Sequence, residues 1–136
     1  MIVNRSSPSA AVIPVLSYKD VAEASDWLCR AFGFRERLRI GDHRVQLVYG
    51  DGALILTAKT APPDKATHSV HVRVEDVDRH HEQALRSGAR ILQPPADYPY
   101  GERQYSAEDP GGHLWTFSQS IADVDPASWG GTRFNP

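Results

Sequence analysis

A repeat constrains this chain more than any other feature. The pair Asp20-Val21 recurs as Asp76-Val77, 76 − 20 = 56 residues later. Each aspartate stands where a helix cap is needed, and Gly33 and Gly88 follow at the distance where a helix should stop. After Asp20, Glu23 completes a D-x-x-E box, and Val21, Ala24, Leu28 and Ala31 fall on one stripe at helical spacing, joined by Phe32 with Trp27 on the flank. After Asp76 the corresponding stripe reads Val77, His81, Ala84 and Leu85. One such short unit cannot bury its own sheet, so two copies are expected to pack about a shared core or cavity.

The strands flanking these helices repeat as well. Ala11 to Ser17 has the content of a strand, and Pro14 inside it points to an edge position or a bulge. Phe34 to Ile40, Arg44 to Tyr49 and Ala53 to Lys59 follow, joined by turns at Gly41-Asp42 and Gly50-Asp51-Gly52. In the second copy the strands are His68 to Val74, Arg90 to Gln93, Arg103 to Glu108 and His113 to Gln119, with Pro94 to Gly101 read as a loop. Pro110, Gly111 and Gly112 reverse the chain before the last strand. The fold class is therefore α+β, one domain over 11–119 built from two βαβββ modules, about 11–59 and 68–119. A flexible arm (1–10), a linker (Thr60 to Thr67) and an irregular tail (120–136) complete the chain.

Composition removes several classes of partner. With 136 residues, a formal net charge of -2 and a pI near 6.3, the chain has no basic footprint for nucleic acid or an anionic membrane. Cys29 is the only cysteine, which excludes an intramolecular disulfide framework and fits a reducing cytoplasm. The apolar run Ala10 to Leu16 is far below the roughly 18 residues of a membrane span. A cytoplasmic protein with a small-molecule ligand is the expectation.

Strand parity nominates the residues that meet such a ligand. Ser69, His71 and Arg73 share one face of their strand and are expected beside Thr116, while Val70, Val72, Trp115 and Phe117 pack against the helices. A buried Arg or His needs water, a carboxylate or a ligand, so either these groups face a pocket or Arg73 pairs internally, for example with Glu108 or Asp109. Tyr100, Arg103 and Tyr105 offer aromatic surface and a planar cation ahead of the closing strand, either as a recognition edge or as a loop or dimer contact. His68 and His71, three apart on a strand, point to opposite faces, and His80 and His81 lie about 100° apart on a helix. No HExxH spacing, no G-x-S-x-G turn around Ser106, Ser118 or Ser120, and no glycine-rich phosphate loop occurs.

Three segments carry a family resemblance: LSYKDVAEASDWLCRAFGF, VHVRVEDVDRHHEQALRSGA and YGERQYSAEDPGGHLWTF. Together they make residues 11 to 119 similar to the vicinal oxygen chelate superfamily, the glyoxalase, bleomycin-resistance and extradiol-dioxygenase group. DPGGHLW followed by SIADVDPASW resembles its glyoxalase-like branch. The resemblance implies paired modules, a U-shaped mixed sheet around a pocket, and a homodimer whose contact helps close the pockets. Metal-using members take ligands early and late in each module, and those positions fall here on Ile13, Ile55, Ser69 and Thr116. Such sites need imidazole, carboxylate or amide donors, which two isoleucines do not supply. Neither a metal nor any other cofactor is therefore expected, and the protein is read as a binder of a small, planar or drug-like molecule. The alternative is a metal-dependent lyase, isomerase or dioxygenase with atypical ligands such as His68, His71 or Glu108.

Overall fold

A computed structural model describes residues 4–6, 8–58 and 68–130. The end of the expected third strand at Lys59, the linker, and the last six residues of the tail lie outside the described residues. In chain order the elements are β1 (Val15–Tyr18), α1 (Val21–Phe32), β2 (Arg35–Ile40), β3 (Arg44–Tyr49) and β4 (Gly52–Ala58), then β5 (Ser69–Arg73), α2 (Val77–Arg86), β6 (Arg90–Tyr98), β7 (Glu102–Glu108) and β8 (Leu114–Ser120). A short 3-10 turn, Pro126–Trp129, follows. Each βαβββ unit forms its own four-stranded mixed sheet, ordered β1-β4-β3-β2 and β5-β8-β7-β6, with the first strand parallel to the last.

The helix ends are built as their residues dictate. Asp20 accepts the Glu23 amide at 3.0 Å and Asp76 the Arg79 amide at 3.1 Å, filling an orphan donor at each N-terminus. Gly33, at φ 85°, closes α1 in the left-handed region that side-chain-bearing residues avoid.

One core joins the modules. Phe32 at the end of α1 lies 5.2 Å from Trp115 and 4.8 Å from Phe117, ring to ring, and Leu28, Leu56, Val77, Ala84 and Tyr105 complete the same cluster. The turn before β8 pins the seam. Asp109, 3% exposed, accepts from the Tyr18 hydroxyl (2.5 Å), the Trp115 indole (3.0 Å) and the Gly111 and His113 amides (3.0 and 2.9 Å). His113 then reaches the Ser17 carbonyl at 2.6 Å, so this turn binds the second module to β1 of the first. Burial, then the adjacent Asp109 charge and its hydrogen bond, hold the Tyr18 hydroxyl protonated far above the usual tyrosine range.

Four details differ from the expectation. β1 begins only at Val15, because the proline that precedes it contributes just its carbonyl, which accepts the Ile55 amide at 3.0 Å. β6 runs on through Pro94-Pro95 where a loop was expected, which is possible because β6 is an edge strand broken by register shifts between Ile91, Gln93 and Ala96. The inward stripe of α2 is Val77, His80 and Ala84, leaving Leu85 54% exposed. His80 wins that place because both ring nitrogens find partners there, the Tyr105 hydroxyl (2.6 Å) and the Phe32 carbonyl (2.8 Å). The described part of the N-terminal arm is tied down: Gln46 donates to the Ser6 carbonyl and Arg37 to that of Arg5, each at 2.9 Å, and Pro8 is buried.

Candidate functional site

The face of the second sheet turned away from the helices is polar except at Leu114, the ladder neighbour of Ser69 and Glu108. Ladder register places His71 beside Thr116, Arg73 beside Ser118, Ser106 beside Thr116, Gln104 beside Ser118 and Glu102 beside Ser120. Period-two alternation sends all of these to one side and sends Val70, Val72, Trp115, Phe117 and Tyr105 to the other. At the centre, His71 Nε2 lies 2.8 Å from Ser118 Oγ and 3.8 Å from Glu102 Oε1, and the Gln104 amide donates to that carboxylate oxygen at 3.1 Å. Ser106 and Thr116 hydroxyls face each other at 3.4 Å. This floor offers hydrogen-bond donors and acceptors at close spacing, with one imidazole and one carboxylate able to exchange a proton with whatever lies above them.

Ser69, His71, Arg73 and Thr116 thus share a face, and Arg73 enters no ion pair among the described residues. Glu108 pairs instead with Arg90 at 3.7 Å, and Asp109 is committed to the seam. Two nominated residues do not join them. Tyr105 is buried on the helix side with its hydroxyl on His80, and burial raises its ionisation well above the usual tyrosine range. Arg103 also faces the helix, where it is held by Asp78 and Asp97, each at 3.0 Å. Both are odd-numbered on a strand whose even-numbered residues form the floor. Tyr100 lies at the β6–β7 turn, stacked on Tyr98 and touching Trp129.

Glu102, Gln104 and Ser118 belong to the floor and were not nominated. The parity that selected Thr116 also selects Ser118; Gln104 already lies within the expected strand Arg103 to Glu108, and Glu102 joins it because β7 begins one residue earlier. Trp129 sits in what reads as tail and has no periodic signal.

A cleft of about 990 Å³ runs along the outer edge of β5, between the end of α1, the β3–β4 turn and the start of α2. Phe34, Tyr49, Val70, Val72, Arg73, Arg79 and His80 line it, and His71 borders both cleft and floor. It lies at a junction that mirrors the seam sealed by Tyr18, Asp109 and His113. Desolvation disfavours the charged form of His80, moderated by its bond to the Phe32 carbonyl, so its ring is held neutral below the usual histidine range.

Donor chemistry bears on metal binding. Among the described residues no three His, Cys, Asp or Glu side chains come together to hold an ion. Ile55 and Thr116 sit at matching ladder positions, opposite Val15 and His71, so this pair is hydrocarbon in the first module, where Gln46 on the other side of Ile55 is the polar neighbour. His71 and Glu102 provide two potential ligand atoms in the other.

Comparison with known proteins places this geometry. Residues 11–117 match the model of the Glyoxalase/Bleomycin resistance protein/Dioxygenase superfamily. The crystal structure of TioX from Micromonospora sp. ML1 superposes with a TM-score of 0.71 at 36% identity, covering 83% of this chain and 100% of that one. A glyoxalase/bleomycin resistance protein/dioxygenase family enzyme from Burkholderia phytofirmans PsJN gives 0.72 at 16% identity over 83% of this chain and all of its own, a likeness of fold alone. An uncharacterised protein of Mycobacterium bovis is 26% identical over 131 residues, 85% of this chain and 86% of its own length. With two βαβββ sheets joined at a DPGGH turn and a family model spanning both of them, the chain belongs to the glyoxalase/bleomycin resistance protein/dioxygenase superfamily.

Proposed function

We propose that this protein binds a small, planar or drug-like molecule on the polar floor of its second sheet, without a metal, as a cytoplasmic homodimer. The observation that carries this reading is the floor itself. Glu102 and Gln104 are half-buried and hydrogen-bonded to each other, Ser118 is buried, and the exposed His71 ring is hydrogen-bonded to it at the base of an otherwise open surface. Such groups fix the orientation of a ligand through hydrogen bonds, while the hydrocarbon of Val70, Val72, Trp115 and Phe117 behind them keeps the strands in place. Ser69, Arg73 and Thr116 widen the contact area, and Tyr100 borders it. The loss of strong donors at Ile13, Ile55, Ser69 and Thr116 supports binding without a metal.

The dimer is supported by the strand orders. β1 and β5 are edge strands, so alternate main-chain groups on each lack a ladder partner, and Val15 exposes apolar surface beside them. Pairing these edges with a second copy would wall the open floor. Sedimentation at micromolar concentration should show a dimer, and a monomer throughout that range would refute the assembly.

The competing reading is a metal-dependent lyase, isomerase or dioxygenase, and the 3.8 Å approach of His71 Nε2 to Glu102 Oε1 favours it specifically. Metal analysis of purified untagged protein separates the two. A stoichiometric divalent ion that is lost in His71→Ala would defeat the metal-free reading, whereas metal-free protein that binds planar organic compounds, and loses them in the same variant, sustains it.

A further inference from the structure

Three aromatic rings form a row at the end of the second sheet, where β6 turns into β7. Tyr98 and Tyr100 stack at 5.5 Å with 20° between their planes, and Trp129 meets Tyr100 nearly edge-on at 5.4 Å. The row continues the floor. Tyr98 pairs with Glu102 across the ladder, and Gln93 donates to the Tyr98 hydroxyl at 2.5 Å.

The C-terminal segment that supplies Trp129 is held in place at several points. The Ile121 and Ala122 amides both donate to the Gly101 carbonyl, at 2.8 and 3.3 Å. Gly101 has φ 82°, and a Cβ there would run into the Ala122 carbonyl, so the segment lies against the turn as only glycine allows. Asp125 accepts the Ala127 amide at 3.1 Å, and the Ser128 hydroxyl donates to the Asp125 carbonyl at 2.7 Å, which closes the 3-10 turn ending at Trp129. Trp129 remains 45% exposed although its backbone is anchored, while Trp27 and Trp115 are at 9% and 0%. A ring ordered in this way and left in water presents a contact surface.

Among the described residues, the charges nearest the row along the chain and across the ladder are carboxylates. Glu102 lies below it and Asp123 and Asp125 are on the segment that carries Trp129. The cation of β7, Arg103, is already matched by Asp78 and Asp97. Aromatic faces are themselves negative, so carboxylates and ring faces here attract the same kind of group. We propose that Tyr98, Tyr100 and Trp129 form a subsite for a flat organic cation, a protonated heteroaromatic ring or aryl-guanidinium group, whose polar remainder lies on the floor. This rests on the floor-binding reading and names the chemical class of its ligand.

Calorimetric titration with proflavine, a planar cation, and 2-naphthoate, a planar anion, tests it on the full chain. Proflavine should bind at least tenfold more tightly than naphthoate. Trp129→Ala should weaken proflavine at least tenfold and Trp129→Phe less than threefold, while Glu102→Gln should narrow the gap between cation and anion. Equal or tighter naphthoate binding overturns the proposal, as does proflavine binding that Trp129→Ala leaves unchanged. If that unchanged binding is lost in His71→Ala, the floor-binding reading stands and the subsite alone is wrong. Binding of neither probe overturns both. Because Trp129 lies outside the core, a melting temperature for Trp129→Ala within a few degrees of the parent shows that a loss of affinity is not a loss of fold.

Discussion

Replacing Asp109 should be among the most destabilising polar substitutions this chain can suffer. Its carboxylate is buried among four donors, Tyr18 Oη, Trp115 Nε1 and the amides of Gly111 and His113, with no ion-pair partner among the described residues. Hydrogen bonds to a charged group contribute about 1.5–3 kcal/mol each, and a buried donor left unpaired costs about 1–3 kcal/mol. Desolvation of the carboxylate offsets part of the gain, so the four bonds do not sum. In Asp109→Asn the amide NH2 must point at two of those donors. If it points at Tyr18 and Trp115, the hydroxyl can rotate to accept but the indole N–H cannot, and the expected loss is about 2–4 kcal/mol. Asp109→Ala, which strands all four donors, should lose about 3–5 kcal/mol, a large share of the roughly 5–15 kcal/mol that holds a domain together. Tyr18→Phe removes one bond and should cost about 1.5–3 kcal/mol. Guanidinium unfolding followed by fluorescence would give the midpoints and slopes. A loss below about 1 kcal/mol for Asp109→Ala, or a larger loss for Tyr18→Phe than for Asp109→Ala, would show that this turn is not what fastens the second module to β1.

Trp115→Ala should cost about 3–5 kcal/mol through the cavity it leaves against Phe32 and Phe117, measurable in the same unfolding experiment. Arg73→Ala should leave the unfolding midpoint unchanged and weaken ligand binding, since Arg73 is exposed beside the floor; unfolding of that variant would show that Arg73 is structural. His80 supplies a pH dependence with a definite sign. Its folded pKa is lowered by burial below the unfolded value of about 6.5, so the unfolded chain binds the extra proton first. The stability from neutral His80 is fully present above about pH 6.5 and is lost as pH falls below it towards the folded pKa. His80→Gln should be less stable near neutrality and show a shallower loss of stability on acidification; an unchanged slope would mean that His80 is not buried neutral.

Element order was legible because capping and period-two alternation are local chemistry. Asp20, Asp76 and Gly33 act within a few residues of themselves, and so the helices fall where the residues place them. What was not legible depends on contacts distant in sequence. His80 is inward on α2 because Tyr105 and Phe32, 25 and 48 residues away, satisfy both its nitrogens, and an average hydropathy stripe favours Leu85 instead. Pro94-Pro95 reads as loop until β6 is known to be an edge. In the candidate site, parity sufficed for Ser69, His71, Arg73 and Thr116, but Tyr105 and Arg103 were grouped with Tyr100 by nearness in sequence, and adjacent positions on a strand look opposite ways.

The two modules keep one topology and have diverged on the faces turned away from the helices. In the second, the ladder neighbours are His71 with Thr116 and Gln104 with Ser118; in the first, the matching pairs are Val15 with Ile55, both apolar, and Arg44 with Thr57, both polar. At its centre the second module thus keeps an imidazole and a hydroxyl where the first has two hydrocarbon side chains. A ligand spanning both centres would meet hydrogen-bonding groups at His71 and Thr116 and hydrocarbon at Val15 and Ile55. The same face of the first sheet also receives the N-terminal arm, since Gln46, the ladder partner of Ile55, donates to the Ser6 carbonyl. Removing residues 1–9 should therefore expose Gln46. If that face is the second wall of the ligand site, the truncated protein should bind planar compounds with altered affinity while its unfolding midpoint moves little; identical affinity with and without the arm would place the whole ligand on the second module.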